Sequence, residues 1–170
     1  MSYNSHYSVL AGVVAGTQGP ILELGAGDGS TPMLHYIAST MDRPILTADT
    51  NAEWLAKYVG YGTHLHTFKF VEGWKEFKDP FERIGCIFID CAPGEAREHL
   101  ARRYKNRADF VVCHDSEKDY ASGGNYQYEK VIPEFKHVSE FRRFRPYTLI
   151  MSNVRNFHIP ECDRTWTPPQ

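Results

Sequence analysis

Five short apolar bursts recur along the chain, and each ends in a polar residue before a helical pattern begins. They are "PILEL" ending at Leu24, "PILTA" at Pro44–Ala48, "HLHTFKFVEG", "CIFID" at Cys86–Asp90 and "DFVVCHD" at Asp109–Asp115. The first has no polar alternation beyond one glutamate, the mark of a strand covered on both faces. Between the bursts lie segments with helical spacing, such as Leu34, Ala38 and Met41, or the run "GEAREHLARRY". Strands and helices alternating at this pitch require right-handed crossovers, which predict a parallel sheet with helices on both faces. The third burst alternates more than the others and belongs near an edge.

The end of the chain breaks the rhythm. "YQYEKVIPEF" reads as helical, with Pro133 kinking or ending it. "HVSEFRRF" and "YTLIMSN" follow as two strand-like runs joined only by "RP". So short a link cannot carry a parallel crossover, so these strands pair antiparallel. The expected fold is a mainly parallel sheet with an antiparallel hairpin at its C-terminal edge.

A chain of 170 residues fits one domain, 1–170, with a core over about 20–154 and a surface tail over 155–170. The tail carries Phe157 and Trp166 as candidates for docking on the domain or on another subunit. The four cysteines Cys86, Cys91, Cys113 and Cys162 show no Cys-x-x-Cys spacing. They fit reduced thiols in a cytoplasmic protein better than a zinc site or disulfide framework. The N-terminal apolar stretch is short and lacks a basic lead, which supports neither a secretory signal nor a membrane span. A net charge of −2 gives no reason to expect nucleic-acid binding. The densest basic run, Arg97–Arg107, reads as a solvated helix face.

In open α/β sheets ligands bind beyond the carboxyl ends of the strands. Here those ends carry Glu23 and the glycine loop, then Asp49, Thr50 and Asn51. Glu72, Gly73 and Trp74 follow the third strand, Asp90 the fourth, and His114 and Asp115 the fifth. The loop "GAGDGS" spaces three glycines alternately, and Thr31 and Pro32 can open the following helix. Its backbone N–H groups and the helix start suit a phosphate or carboxylate, and an acidic residue such as Asp49 suits two ribose hydroxyls. A dinucleotide and S-adenosylmethionine both meet this description. Ser30 stands where a dinucleotide fingerprint wants glycine or alanine, and Glu23 would repel a pyrophosphate while accepting hydrogen bonds from an ammonium.

"ILELGAGDGS" resembles motif I of the class I S-adenosylmethionine-dependent methyltransferases, and "ILTADTNAEWL" resembles the motif whose acidic residue binds ribose. The resemblance spans about Ile21 to Asn153. It implies a Rossmann-like three-layer sandwich with a seven-stranded sheet in the order 3-2-1-4-5-7-6. It also implies S-adenosylmethionine held by Glu23, Gly25, Ala26, Gly27, Asp28, Gly29, Ser30, Asp49 and Thr50, with Gly73 and Trp74 flanking the adenine.

At the far half of the rim, Asp90, His114 and Asp115 are the candidate catalytic groups. They fall on the positions that hold a cation in metal-dependent O-methyltransferases of the catechol type. That similarity implies a site for Mg²⁺ or Mn²⁺ on these three residues. Pro93 replaces the lysine of that type, so its base does not carry over. His114 then becomes the candidate general base, with Asp115 orienting its ring. The segment "SEKDYASGGN", Ser116–Asn125, is a candidate lid.

The expected activity is methyl transfer, by O-methylation of a small molecule or sugar, in a protein without nucleic-acid or membrane partners and open to homo-oligomer formation. Two alternatives stand beside it. One is an S-adenosylmethionine-binding protein without methyl transfer, acting as regulator, partner subunit or cofactor-degrading enzyme. The other is a nicotinamide-dependent Rossmann enzyme.

Overall fold

The computed structural model describes residues 4–117 and 126–157, together with the backbone of 164–165. Strands β1 (Ile21–Leu24), β2 (Ile45–Asp49), β3 (His66–Phe70), β4 (Ile84–Ile89), β5 (Ala108–His114), β6 (His137–Phe141), β7 (Thr148–Ser152) and β8 (Arg164–Thr165) form one sheet. Its order is β3-β2-β1-β4-β5-β7-β6-β8. The first five strands pair in parallel, and β7 runs antiparallel to both β5 and β6. The seven-stranded order and the terminal hairpin are as the sequence predicts, with β3 at one edge. An eighth strand adds to that expectation: β8, from the segment read as an irregular tail, pairs antiparallel with β6 through Ser139↔Thr165 and Glu140↔Arg164.

Among the described residues four helices cover the sheet: α1 (Tyr7–Ala15), α2 (Ser30–Thr40), α3 (Ala52–Ala56) and α4 (Ala96–Tyr104). One face packs Leu22, Leu24, Ile87, Ile89 and Val111 against Leu100, Ala101 and Tyr104 of α4. The other packs Ile21, Ile45, Phe88 and Val112 against α1 and α2. Alternate residues of each central strand therefore enter different cores, which explains why those strands read as continuous apolar runs. Val9, Leu10, Val13 and Val14 bury one side of α1, a helix that the sequence reading did not assign.

Local details differ from expectation. Helix α2 starts at Ser30 and Thr31 does not cap it. "YQYEKVIPEF" forms two short 3₁₀ turns, Tyr128–Lys130 and Ile132–Glu134, in place of a helix; Pro133 lies inside the second, where a longer helix would lack its N–H. The basic run is not a solvated face. Arg97 is buried, Arg102 pairs with Glu98 and Glu134, Arg103 donates to the carbonyls of Trp74, Lys75 and Phe77, and Arg107 pairs with Asp79. Cys86, Cys91 and Cys113 are free and buried; burial pushes the Cys86 and Cys91 thiols up to about 12. Phe157 docks edge-on against Phe110 at 5.0 Å. Trp166, Cys162 and most of the candidate lid lie outside the described residues. Among the described residues no helix is long and apolar enough to cross a membrane.

Candidate functional site

The glycine loop leaves β1 through Gly25, whose φ of +98° lies in the left-handed region. A Cβ there would collide with the Asp90 carbonyl and the Cys91 backbone. This first glycine therefore lets the loop cross the end of β4. At Gly29 a Cβ would collide with the side chains of Asn4 and Tyr7. The N-terminal segment thus packs directly on the loop.

Asp49, at the end of β2, is bonded to this loop. Its Oδ2 accepts from the Ala26 amide at 2.8 Å and its Oδ1 from the Asn51 amide at 2.8 Å. Trp54 Nε1 donates to the Ala26 carbonyl at 2.6 Å, and the Tyr58 hydroxyl donates to Asp28 Oδ1 at 2.7 Å. Helix α3 and the turn after it thereby clamp the loop's outer side. The Ala92 carbonyl accepts from Thr50 Oγ1 at 3.0 Å and from Trp74 Nε1 at 2.8 Å. One carbonyl so joins the ends of β2, β3 and β4. A glycine loop after β1, an acidic group at the next strand end and a clamped loop are features that suit an adenosyl group with an attached amino acid.

Two residues expected at the ligand stand back from it. Glu23 is fully buried beneath the loop; its Oε2 accepts from Thr31 Oγ1 at 3.0 Å and Thr47 Oγ1 at 2.6 Å. Burial pushes its carboxyl up to about 7. Its side chain alternates onto the face of Ile21, so it faces α2 and not the rim. Trp74 is buried against Phe77 in the core with its N–H committed to Ala92, which removes it as a stacking wall. Gly73, half-buried, follows β3 beside it.

At the other half of the rim, Asp90, His114 and Asp115 converge, with ligand atoms within 4.8 Å of one another. Asp115 holds a φ of +56°, a conformation that aspartate tolerates better than most residues. Arg97, from α4, bridges the two carboxylates: Nη2 lies 2.9 Å from Asp90 Oδ1 and Nη1 3.0 Å from Asp115 Oδ2. The guanidinium lies over the Tyr126 ring at 4.2 Å.

The protons on His114 follow from its partners. The Ser5 hydroxyl donates its single proton to the Pro146 carbonyl at 2.5 Å, so at 3.1 Å it accepts from His114 Nε2. His114 Nδ1 faces Asp90 Oδ2 at 3.2 Å and Asp115 Oδ1 at 3.4 Å. Both nitrogens therefore carry protons. Burial opposes that charge, but the Asp90 hydrogen bond and the charges of Asp90 and Asp115 outweigh it and hold the imidazole above its usual value. Asp90 also loses by burial, yet His114 and Arg97 hold it below the usual carboxylate range. An imidazolium with both N–H groups engaged has no lone pair, so His114 does not fit the expected role of general base. As they stand, the three residues are held together by a proton and not by a metal. Arg97 leaves Asp90 Oδ2 and Asp115 Oδ1 facing His114 Nδ1, so a cation there would have to displace the proton that His114 shares with these two oxygens.

Sequence reasoning missed the residues that organise this half. Arg97 was hidden in a basic run. Ser5 and His6 come from a segment that shows no strand or helix motif; the His6 ring lies 4.6 Å from that of His114. Burial, then the charge of His114, drive His6 down to about 4.

No protein-family model matches the chain, and no curated protein matches it. Solved structures of similar fold do. The chain is 18% identical to the methyltransferase domain of METTL16 with a TM-score of 0.59, over 87% of this chain and 66% of that one. It therefore spans just under two thirds of that domain. It is 15% identical, with a TM-score of 0.60, to the human METTL16 catalytic domain in complex with the MAT2A 3′UTR hairpin 1, over 91% of this chain and 71% of that one. For the fibrillarin pre-rRNA processing protein of Methanococcus jannaschii the identity is 16% and the TM-score 0.58, over 87% and 75%. At these identities the likeness establishes the class I methyltransferase fold. It also corrects the expectation of a small-molecule acceptor and no nucleic acid: one similar domain holds an RNA hairpin and another is a pre-rRNA processing protein. A net charge near zero is a poor guide to acceptor class, because it averages over the whole surface.

Proposed function

We propose that this protein is an S-adenosylmethionine-dependent methyltransferase that methylates an oxygen on its acceptor. The observation that carries the reading is the union of the Asp49 carboxylate with the Ala26 amide of the glycine loop, beside the ordered end of β4. The domain of human METTL16 in complex with S-adenosylhomocysteine, 17% identical with a TM-score of 0.57 over 90% of this chain and 71% of that one, supports the cofactor.

When bound, the cofactor supplies an electrophilic methyl group on a sulfonium. The glycine loop and the Asp49 carboxylate would hold it, the latter through lone pairs that its two amide contacts leave open. Asp90 is the acceptor-facing group: its side chain is 28% exposed, against 4% for His114 and 13% for Asp115. Arg97 and His114 fix the Asp90 carboxylate from behind. Asp90 would accept the hydrogen bond of an acceptor hydroxyl and orient its oxygen toward the methyl, a positioning role. The hydroxyl proton is released through Asp90 to solvent as the oxygen takes the methyl; because Asp90 is held ionised and weakly basic, alignment contributes more than proton removal. RNA is the acceptor class to try first, since similar domains hold or process RNA.

The test is transfer of labelled methyl from S-adenosylmethionine to RNA hairpins and nucleosides. Product is expected with wild type and reduced about 100-fold with Asp90→Asn. Cofactor binding without transfer to any acceptor would favour the non-catalytic reading, which the internal pairing of Asp90 and Asp115 by Arg97 makes the specific alternative.

A further inference from the structure

Beneath the glycine loop a row of side chains runs from the half-buried surface of α2 to the fully buried Glu23. His35 Nδ1 lies 3.2 Å from His66 Nδ1, His66 Nε2 lies 2.9 Å from Thr47 Oγ1, and Thr47 Oγ1 lies 2.6 Å from Glu23 Oε2. On the far side Thr31 Oγ1 accepts from the Gly27 amide at 2.9 Å and meets Glu23 Oε2 at 3.0 Å. Glu23 Oε1 has no partner among the described residues.

Hydrogen-bond arithmetic sets the direction of every link. Thr31 accepts from Gly27, so its own proton goes to Glu23. The short Thr47–Glu23 contact takes the Thr47 proton, which leaves Thr47 to accept from His66 Nε2–H. Burial, then the neighbouring charge of His35, drives His66 down to about 4, so its ring is neutral and carries that proton alone. Its Nδ1 is then a lone pair, and His35 must supply the proton between the two rings. Their centroids lie 5.4 Å apart with a tilt of 25°, as expected for imidazoles joined edge to edge. Phe68 stacks on His66 at 4.2 Å and fixes its plane.

We propose that Glu23, Thr47 and His66 are positioning residues of the glycine loop, joined in a one-directional donor chain from His35 to the Glu23 carboxylate, whose hold passes through Thr31 to the Gly27 amide. The proposal rests on the cofactor reading for its functional consequence, but not for its geometry. A buried carboxylate with one unpartnered oxygen is costly. It is retained here because it anchors both threonine hydroxyls, and through Thr31 the Gly27 amide of the glycine loop. None of these residues touches the ligand site directly.

The test uses the intact protein without cofactor. Long-range ¹H–¹⁵N spectra at about pH 8.5, where Glu23 is ionised, are expected to show His66 protonated on Nε2 only and His35 protonated on Nδ1. Thr47→Val should then move the Gly27 amide resonance and weaken S-adenosylhomocysteine binding about 10-fold, with Thr47→Ser restoring both. If Thr47→Val does not fold, His35→Phe, at the half-buried end of the chain, reads the same Gly27 shift. His66 protonated on Nδ1, or a Gly27 resonance unmoved in these variants, overturns the proposal. A correct tautomer pattern and a responsive Gly27 without any cofactor binding uphold the chain and sink the cofactor reading instead.

Discussion

Arg97 Nη2 lies 2.9 Å from Asp90 Oδ1, so a cation from helix α4 sits behind the one carboxylate of the far rim that remains open to solvent. The same guanidinium reaches Asp115, Cys91 O and His114 O. It thereby ties α4 to the ends of β4 and β5.

Replacing this residue by Arg97→Met keeps much of its bulk and removes its charge. Two carboxylates then lose their main counter-ion, at an expected cost of about 2–4 kcal/mol, below the full range for a buried pair because Asp90 stays partly hydrated. Urea denaturation of wild type and variant measures it. A change under about 0.5 kcal/mol would show that Arg97 is not the centre of this cluster.

Because the His114 Nδ1 proton lies between Asp90 Oδ2 and Asp115 Oδ1, with Arg97 neutralising their other oxygens, divalent cations should not bind there at neutral pH. Millimolar Mg²⁺ or Mn²⁺ should leave the melting temperature of the wild type unchanged, and chelator should leave methyl transfer unchanged. A saturable Mn²⁺-dependent rise in melting temperature that Asp90→Asn abolishes would restore the metal site.

Glu23 predicts a pH dependence with a definite sign. Burial raises its folded carboxyl from 4.5 to about 7, so the folded state favours the protonated form. Its contribution to stability is present below pH 4.5, declines as pH rises and is lost above pH 7. The wild type should therefore lose up to about 3 kcal/mol relative to Glu23→Gln between pH 5 and pH 8. Denaturation curves of both proteins at the two pH values check this difference. A stability difference independent of pH would mean that Glu23 titrates normally.

Much of the fold is legible in the sequence because it rests on two strong signals. Apolar runs too continuous for half-exposed strands indicate a sheet covered on both sides. The link between β6 and β7, six residues in the structure and not the expected two, is still too short for a parallel crossover and leaves them antiparallel. The rim residues follow, since a strand end is easily placed once the strand is found. What stays hidden is orientation. Glu23 and Asp49 both end or nearly end strands, yet alternation turns Glu23 into the α2 face while Asp49 meets the loop. A basic helix gives no sign that Arg97 faces inward, because that depends on acidic partners on two other strands. Helix α1 was missed because Gly12 and Gly16 interrupt an apolar stretch whose helical face is short. Its placement matters, since Ser5 determines the protons on His114.

The measurement that bears most directly on the central claim is calorimetric titration of S-adenosylhomocysteine into wild type and Asp49→Ala, with NAD as control. Loss of two charge-assisted contacts to ribose corresponds to about 1.5–3 kcal/mol, a weakening of roughly 10–100-fold. The account predicts saturable binding to wild type, that loss of affinity in a variant that remains folded, and no binding of NAD. Binding of NAD without S-adenosylhomocysteine, or equal affinity in the two proteins, would contradict it.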